Sequence, residues 1–170
     1  MSVIRPATVE DVPAILRMIH DLAIYEKEPD AVKNTPEMLS DVLFGDNPRV
    51  YATIAENAAG TVQGFALWFL NYSTWEGVHG IYLEDLYVEP DARGEGHGKA
   101  LLQHLAATAV ERGYARVEWS VLNWNEPSIN FYKNLGSFPM AEWSTFRLTG
   151  DALEAFGATS DPANQALTRG

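Results

Sequence analysis

Residues 82–99 constrain this chain more than any other stretch. Tyr82-Leu83-Glu84-Asp85-Leu86-Tyr87-Val88 reads as an apolar strand carrying two adjacent acids, Pro90-Asp91 turns the chain, and Arg93-Gly94-Glu95-Gly96-His97-Gly98-Lys99 is a glycine-rich loop. A helical pattern follows over 100–112. A strand that ends in such a loop and opens a helix is a place to hold a phosphate. The glycines turn tightly and bare their N–H groups, and the helix N-terminus adds partial positive charge. Two familiar phosphate loops are excluded by spacing. A P-loop needs glycine five residues before Gly98 and Ser or Thr after Lys99, where this chain has Arg93 and Ala100. A dinucleotide fingerprint starting at Gly94 needs glycine where Lys99 stands.

A second motif, Asn125-Glu126-Pro127-Ser128-Ile129-Asn130-Phe131-Tyr132-Lys133-Asn134-Leu135-Gly136, follows a strand-like run over 116–121. Asn125 or Glu126 suits a helix cap, Pro127 a first turn and Gly136 a C-terminal stop. Read locally, this is a short, well-capped structural helix.

Together the two motifs resemble the GNAT superfamily of acetyl-CoA-dependent N-acetyltransferases. Arg93-x-x-Gly96-x-Gly98 fits that family's pyrophosphate loop, Gln/Arg-x-x-Gly-x-Gly/Ala. The second motif is similar to the last helix of the spermidine/spermine (diamine) and thialysine N-acetyltransferase group, as are Val3-Ile4-Arg5-Pro6-Ala7-Thr8 and Tyr82-Leu83-Glu84-Asp85. The resemblance runs over about 3–148 and implies acetyl-CoA as co-substrate. It implies that the loop residues Arg93, Gly94, Glu95, Gly96, His97, Gly98 and Lys99 hold the pyrophosphate. The strand residues Leu86, Tyr87 and Val88 would lend main-chain bonds to pantetheine and to the oxyanion, and Asn125, Pro127, Ser128 and Tyr132 would line the cofactor. It implies Glu84 as base through water and Tyr132 as the acid for the thiolate. Tyr25, Glu26, Trp75, Glu84 and Asp85 become the amine-binding set. Glu84 and Asp85 are neighbours on a strand, so their side chains are expected on opposite faces. Outside the resemblance, Tyr132 reads as a core tyrosine, Tyr25 and Glu26 as a helix-end cluster, and Trp75 as an exposed loop aromatic.

The chain departs from the polyamine group at two places. Ser73 stands where that group has Asp, and Ser144 stands where it has a substrate-contacting Glu, with Glu142 nearby. The amine is therefore open between a diamine or polyamine and a lysine-like amino acid such as thialysine.

The remaining pattern predicts one α/β domain over 1–156, a central twisted mixed sheet of about six to seven strands with helices on both faces, and a flexible tail over 157–170. Strands are expected over 2–7, 50–55, 62–70, 81–88, 116–121 and 140–148, with a loop over 71–80. Helices are expected from Thr8 to about Ala23, from Pro36 to Phe44 and over 127–135. A length of 170 residues suits one sizeable core. The formal charge of −11 argues against nucleic acid or an anionic membrane and agrees with a cationic substrate. There is no cysteine, hence no disulfide, thiol nucleophile or thiolate metal site. His20, His79, His97 and His104 show no paired metal spacing, so no metal is expected. With no basic-then-apolar leader pattern and no long apolar run, the chain is expected to be cytoplasmic. Trp143, Phe146 and Leu148 in the late strand suggest a homodimer, as the resemblance also implies. Two other readings stay open: acetylation of a protein N-terminus or lysine, and a non-catalytic CoA-binding sensor.

Overall fold

A computed structural model gives the structure of residues 2–158, which fall into two compact units divided between Asn125 and Glu126. The first unit is built on a sheet in the order β1 (Val3–Pro6), β2 (Val50–Glu56), β3 (Val62–Ser73), β4 (Val78–Val88) and β5 (Val117–Trp119). The first four strands are antiparallel, and β5 runs parallel to β4. A parallel pair needs a crossover, and here α3 (His97–Glu111) supplies it.

Alternation along the strands gives the sheet two apolar faces. Ile54, Phe65, Leu67 and Tyr87 form one core with Val12, Ile15 and Met18 of α1 (Val12–Tyr25) and Leu39 and Leu43 of α2 (Pro36–Phe44). Phe65, Ile15 and Met18 are fully buried, so truncating Phe65 to Ala costs about 3–5 kcal/mol. On the other face α3 packs on the strands, with Leu101 and Leu105 fully buried. Helices therefore cover both faces, as the pattern predicts.

Local chemistry sets the helix ends. Pro36 opens α2, and the Thr35 hydroxyl caps it by accepting from the Met38 N–H. Ahead of α1 the expected helix start at Thr8 is a single 3-10 turn, Val9–Asp11. Asp11 folds back there to accept from the Thr8 N–H and from both terminal nitrogens of Arg5, at 2.7 and 2.9 Å from the latter. The Arg5 guanidinium holds the Asp11 carboxyl below the usual carboxylate range.

Two expectations change. The loop expected over 71–80 is mostly sheet: Asn71 pairs with Gly80, Tyr72 with His79 and Ser73 with Val78. Only a four-residue turn remains between the strands. It is closed by the Gly77 N–H on the Ser73 carbonyl and the Glu76 N–H on the Ser73 hydroxyl. Cross-strand partners distant in sequence overrode the local polarity of that segment. The strand expected over 140–148 is absent, so the described sheet has five strands. That segment lies in the second unit, whose described elements are α4 (Glu126–Asn134) and α5 (Gly150–Ala158). Its Trp143, Phe146 and Leu148 stand exposed. Of the tail expected over 157–170, residues 157 and 158 complete α5, and 159–170 lie outside the described residues.

Candidate active site

The site grows out of β4. Its register against β3 slips once: Leu67 faces Asp85, yet Trp68 faces Leu83, which leaves Glu84 as an extra residue. A bulge of this kind changes which face the following side chains take. Leu83 shares a face with Trp68, whereas Asp85 and Tyr87 share the opposite face with Leu67 and Phe65. The slip thus breaks simple alternation between Leu83 and Asp85, which lie on opposite faces. Glu84 is exposed at the bulge and Asp85 is partly buried just beyond it. Burial pushes the Asp85 carboxyl up to about 6, and the charges of Glu84 and Glu26 push the same way. Burial also raises Glu26. Asp85 therefore feels the charges of both Glu84 and Glu26. The three carboxylates do not form a metal centre, for among the described residues no three His, Asp or Glu side chains are grouped to hold an ion.

The same strand loses its other neighbour at this point. β5 pairs only with Ile81, Tyr82 and Leu83. Beyond them Asp85, Leu86, Tyr87 and Val88 remain paired to β3 but, among the described residues, have no strand partner on the β5 side. Main-chain groups on that open edge are available to an extended ligand.

At the end of β4 the loop enters α3 through Gly94 and Gly96, with φ of +89° and +91°. Gly96 is the N-cap, so no side chain caps the helix, and no acid stands in its first turn. The first N–H groups of a helix have no partner within it, and an anion is the natural one. A Cβ added at Gly94 or Gly96 would meet nothing within 4 Å, and one at Gly98 only Val88 Cγ2 at 3.6 Å. The space over the loop is open. The loop thus suits a phosphate-bearing cofactor, with Lys99 exposed beside it.

Arg93 reaches back to the end of β4. Its Nε donates to the Val88 carbonyl at 3.1 Å, and its guanidinium lies 5.2 Å from the Tyr25 ring and 5.8 Å from the Tyr87 ring. The Tyr25 hydroxyl donates to Asn125 Oδ1 at 3.2 Å, and Asn125 is buried. The structure thus joins Tyr25, expected for the amine, to Arg93 and Asn125, expected for the cofactor. Two neighbours escaped the sequence reading. Trp124 lies 6.0 Å from Tyr25, and Lys27 holds its Nζ 4.5 Å above the Trp124 ring. Their only signal was adjacency to Asn125 and Glu26. Trp75 stands at the hairpin tip, 89% exposed, and is not packed into this group. The His97 ring is buried and hydrogen-bonded. In the second unit, Pro127, Ser128 and Tyr132 lie on α4. The Tyr132 ring packs 5.4 Å from Phe131, and its carbonyl accepts from the Ser137 hydroxyl at 2.7 Å.

Residues 15–137 match the family model described as the acetyltransferase (GNAT) family. The chain belongs to that family. It is an N-acetyltransferase. This acetyltransferase is 40% identical to the thialysine N-epsilon-acetyltransferase of Sus scrofa, over 88% of this chain and 94% of that one. It is 32% identical to the L-ornithine N5-acetyltransferase NATA1 of Arabidopsis thaliana, over 91% and 87%. Among solved structures, an integron cassette protein from the mobile metagenome of V. cholerae matches with a TM-score of 0.77. That match is 24% identical, covers 94% of this chain and 98% of the other, and bears on the fold alone.

Proposed function

We propose that this N-acetyltransferase moves the acetyl group of acetyl-CoA to a primary amine of a small cationic substrate by direct transfer. The substrate class is a diamine, a polyamine or a lysine-like amino acid. The observation that carries the reading is Asp85, partly buried just past the bulge of β4 where β5 pairing has ended, its carboxyl raised by burial and by the charges of Glu84 and Glu26. Carboxylates attract an alkylammonium, and Tyr25 offers it an aromatic face. Relatives named for thialysine and ornithine support the same class.

The bound ammonium must lose a proton before its nitrogen attacks the thioester carbonyl. Glu84, exposed at the bulge, takes that proton through water, while Asp85 and Glu26 hold the charge. Main-chain N–H groups of Leu86, Tyr87 and Val88 stabilise the oxyanion and bind the pantetheine arm. The loop Gly94, Glu95, Gly96, His97 and Gly98, with Lys99 and Arg93, receives the pyrophosphate. Asn125, Pro127 and Ser128 line the pantetheine. Tyr132 gives the departing thiolate its proton, a downhill step from a phenol at pKa about 10 only when the thiolate is held close and desolvated. With no cysteine in the chain, the acetyl group has no thiol on the enzyme on which to rest. The enzyme works in the cytoplasm as a homodimer through the Trp143, Phe146 and Leu148 region, with residues 1–156 as its catalytic domain.

One observation favours a second reading of the base. The raised Asp85 carboxyl titrates nearer the working pH and is a better-matched acceptor than an ordinary carboxylate. Initial-rate kinetics with both substrates varied test direct transfer: intersecting double-reciprocal lines support it, and parallel lines reject it. The pH–rate profile then separates the bases. Glu84→Gln should shift its acidic limb; a shift confined to Asp85→Asn moves the role to Asp85.

A further inference from the structure

The loop that opens α3 contains an ionisable side chain the mechanism does not use. His97 is the first residue of α3, directly after the left-handed Gly96. Its ring is only 3% exposed. Nδ1 lies 2.8 Å from the Ser2 hydroxyl, at the head of β1, and Nε2 lies 3.3 Å from Glu95 Oε2. A carboxylate only accepts, so Nε2 carries the proton, and in the neutral ring Nδ1 accepts from the Ser2 hydroxyl. Glu95 is mostly exposed and adds little; the contact with Ser2 is the anchor.

We propose that His97 is a positioning residue for the phosphate loop and that Ser2 locks it. Two glycines in left-handed conformation leave residues 93–97 with more backbone freedom than any other residue type would. No side chain caps the helix start, so nothing at the cap itself fixes the directions of its free N–H groups. The His97 side chain is the one group of the loop that enters the interior, and it ties the loop to a sheet strand 95 residues away in sequence. Held this way, the N–H groups of His97, Gly98 and Lys99 keep an anion-binding arrangement before the ligand arrives, so binding does not carry the cost of ordering the loop. The inference rests on the loop being the cofactor site.

The experiment is isothermal titration of CoA, with initial rates in acetyl-CoA, for Ser2→Ala, Ser2→Thr, His97→Leu and the Ser2→Ala/His97→Leu pair. Ser2→Ala removes one neutral hydrogen bond and should weaken CoA binding and raise KM for acetyl-CoA about 3- to 10-fold, the range expected for such a bond. The kcat and the KM for the amine should stay within about twofold. Ser2→Thr should restore affinity. The double variant should be no weaker than His97→Leu alone, because both changes break one contact. Unchanged CoA affinity in Ser2→Ala and His97→Leu overturns the proposal. So does additive loss, or a fall in kcat that accompanies a lower Tm with no preference for the acetyl-CoA KM. Gly98→Val separates this failure from failure of the underlying reading, since it fills the space over the loop. If Gly98→Val binds CoA normally, the loop is not the site; if it loses CoA while the Ser2 and His97 variants do not, only the positioning role falls.

Discussion

Asp85→Asn should make this enzyme more stable, and only above a definite pH. Burial and the neighbouring charges of Glu84 and Glu26 raise the Asp85 carboxyl from 3.8 to about 6. The folded state therefore holds this proton more tightly than the unfolded chain does. Between those two values stability falls as pH rises, because the folded state must release a proton that the unfolded state has already lost. The penalty is absent below about pH 4 and complete above about pH 6. At 1.36 kcal/mol per pKa unit, a difference of roughly two units comes to about 3 kcal/mol. Asparagine keeps the shape and carries no charge, so the substitution removes the penalty. For a chain of this size each kcal/mol moves Tm by about 2–4 °C, which gives a gain of about 6–12 °C. Differential scanning calorimetry of both proteins at about pH 8 and about pH 4 is the assay. A variant markedly more stable at the higher pH and equal at the lower one is the expected result. Equal stability at both pH values, or the same gain at both, would refute the reasoning. The stored repulsion is what a cationic substrate relieves, so the stabilised variant should bind the amine more weakly.

Other consequences concern the remaining parts of the site. Tyr132→Phe should lower kcat by about 100-fold or more in pre-steady-state chemistry, with CoA affinity nearly unchanged; an unaltered rate constant leaves Tyr132 a packing residue beside Phe131. Gly96→Ala forces a side chain into the left-handed region and should cost about 1–2 kcal/mol in urea unfolding. Gly98→Val meets little within the protein and should instead act on CoA affinity, so equal effects of the two on stability would count against the open cradle. Glu26→Gln should raise KM for the amine and spare that for acetyl-CoA; a change in both would remove Glu26 from the amine side. Light scattering at micromolar concentration should give a dimer burying on the order of 1,600 Å² or more, whereas a mass near 18.8 kDa would show a monomer.

The parts of the fold that local pattern encodes were legible in advance. The 3.6-residue periodicity of α1, the Thr35-Pro36 start of α2 and the glycines leading into α3 each carry their own signal. The parts decided by distant partners were not. Asn71, Tyr72 and Ser73 look like loop residues until Gly80, His79 and Val78 return beside them. The segment 140–148 alternates as a strand should, but alternation describes a face and supplies no partner. At the site, the resemblance pointed to Glu84 and Asp85, but not to the break in alternation beside them. That break depends on the single slipped register opposite Leu67 and Trp68, which no local pattern records. The His97 ring escaped for the same reason, since its partner is Ser2. Burial of Asp85 near Glu26 and the end of β5 pairing at Leu83 are likewise tertiary facts, and they turn a pair of acids on a strand into a candidate amine site.

The most direct test of the account is release of free CoA thiol from acetyl-CoA in the presence of putrescine, spermidine, spermine, lysine, thialysine and a histone-tail peptide, with mass spectrometry of each amine product. The account predicts amine-dependent thiol release and a single acetyl group on the primary amine of at least one small cation, with the peptide turned over far more slowly. Turnover that favours the peptide over every diamine and amino acid would contradict it, and so would CoA binding with no transfer to any amine.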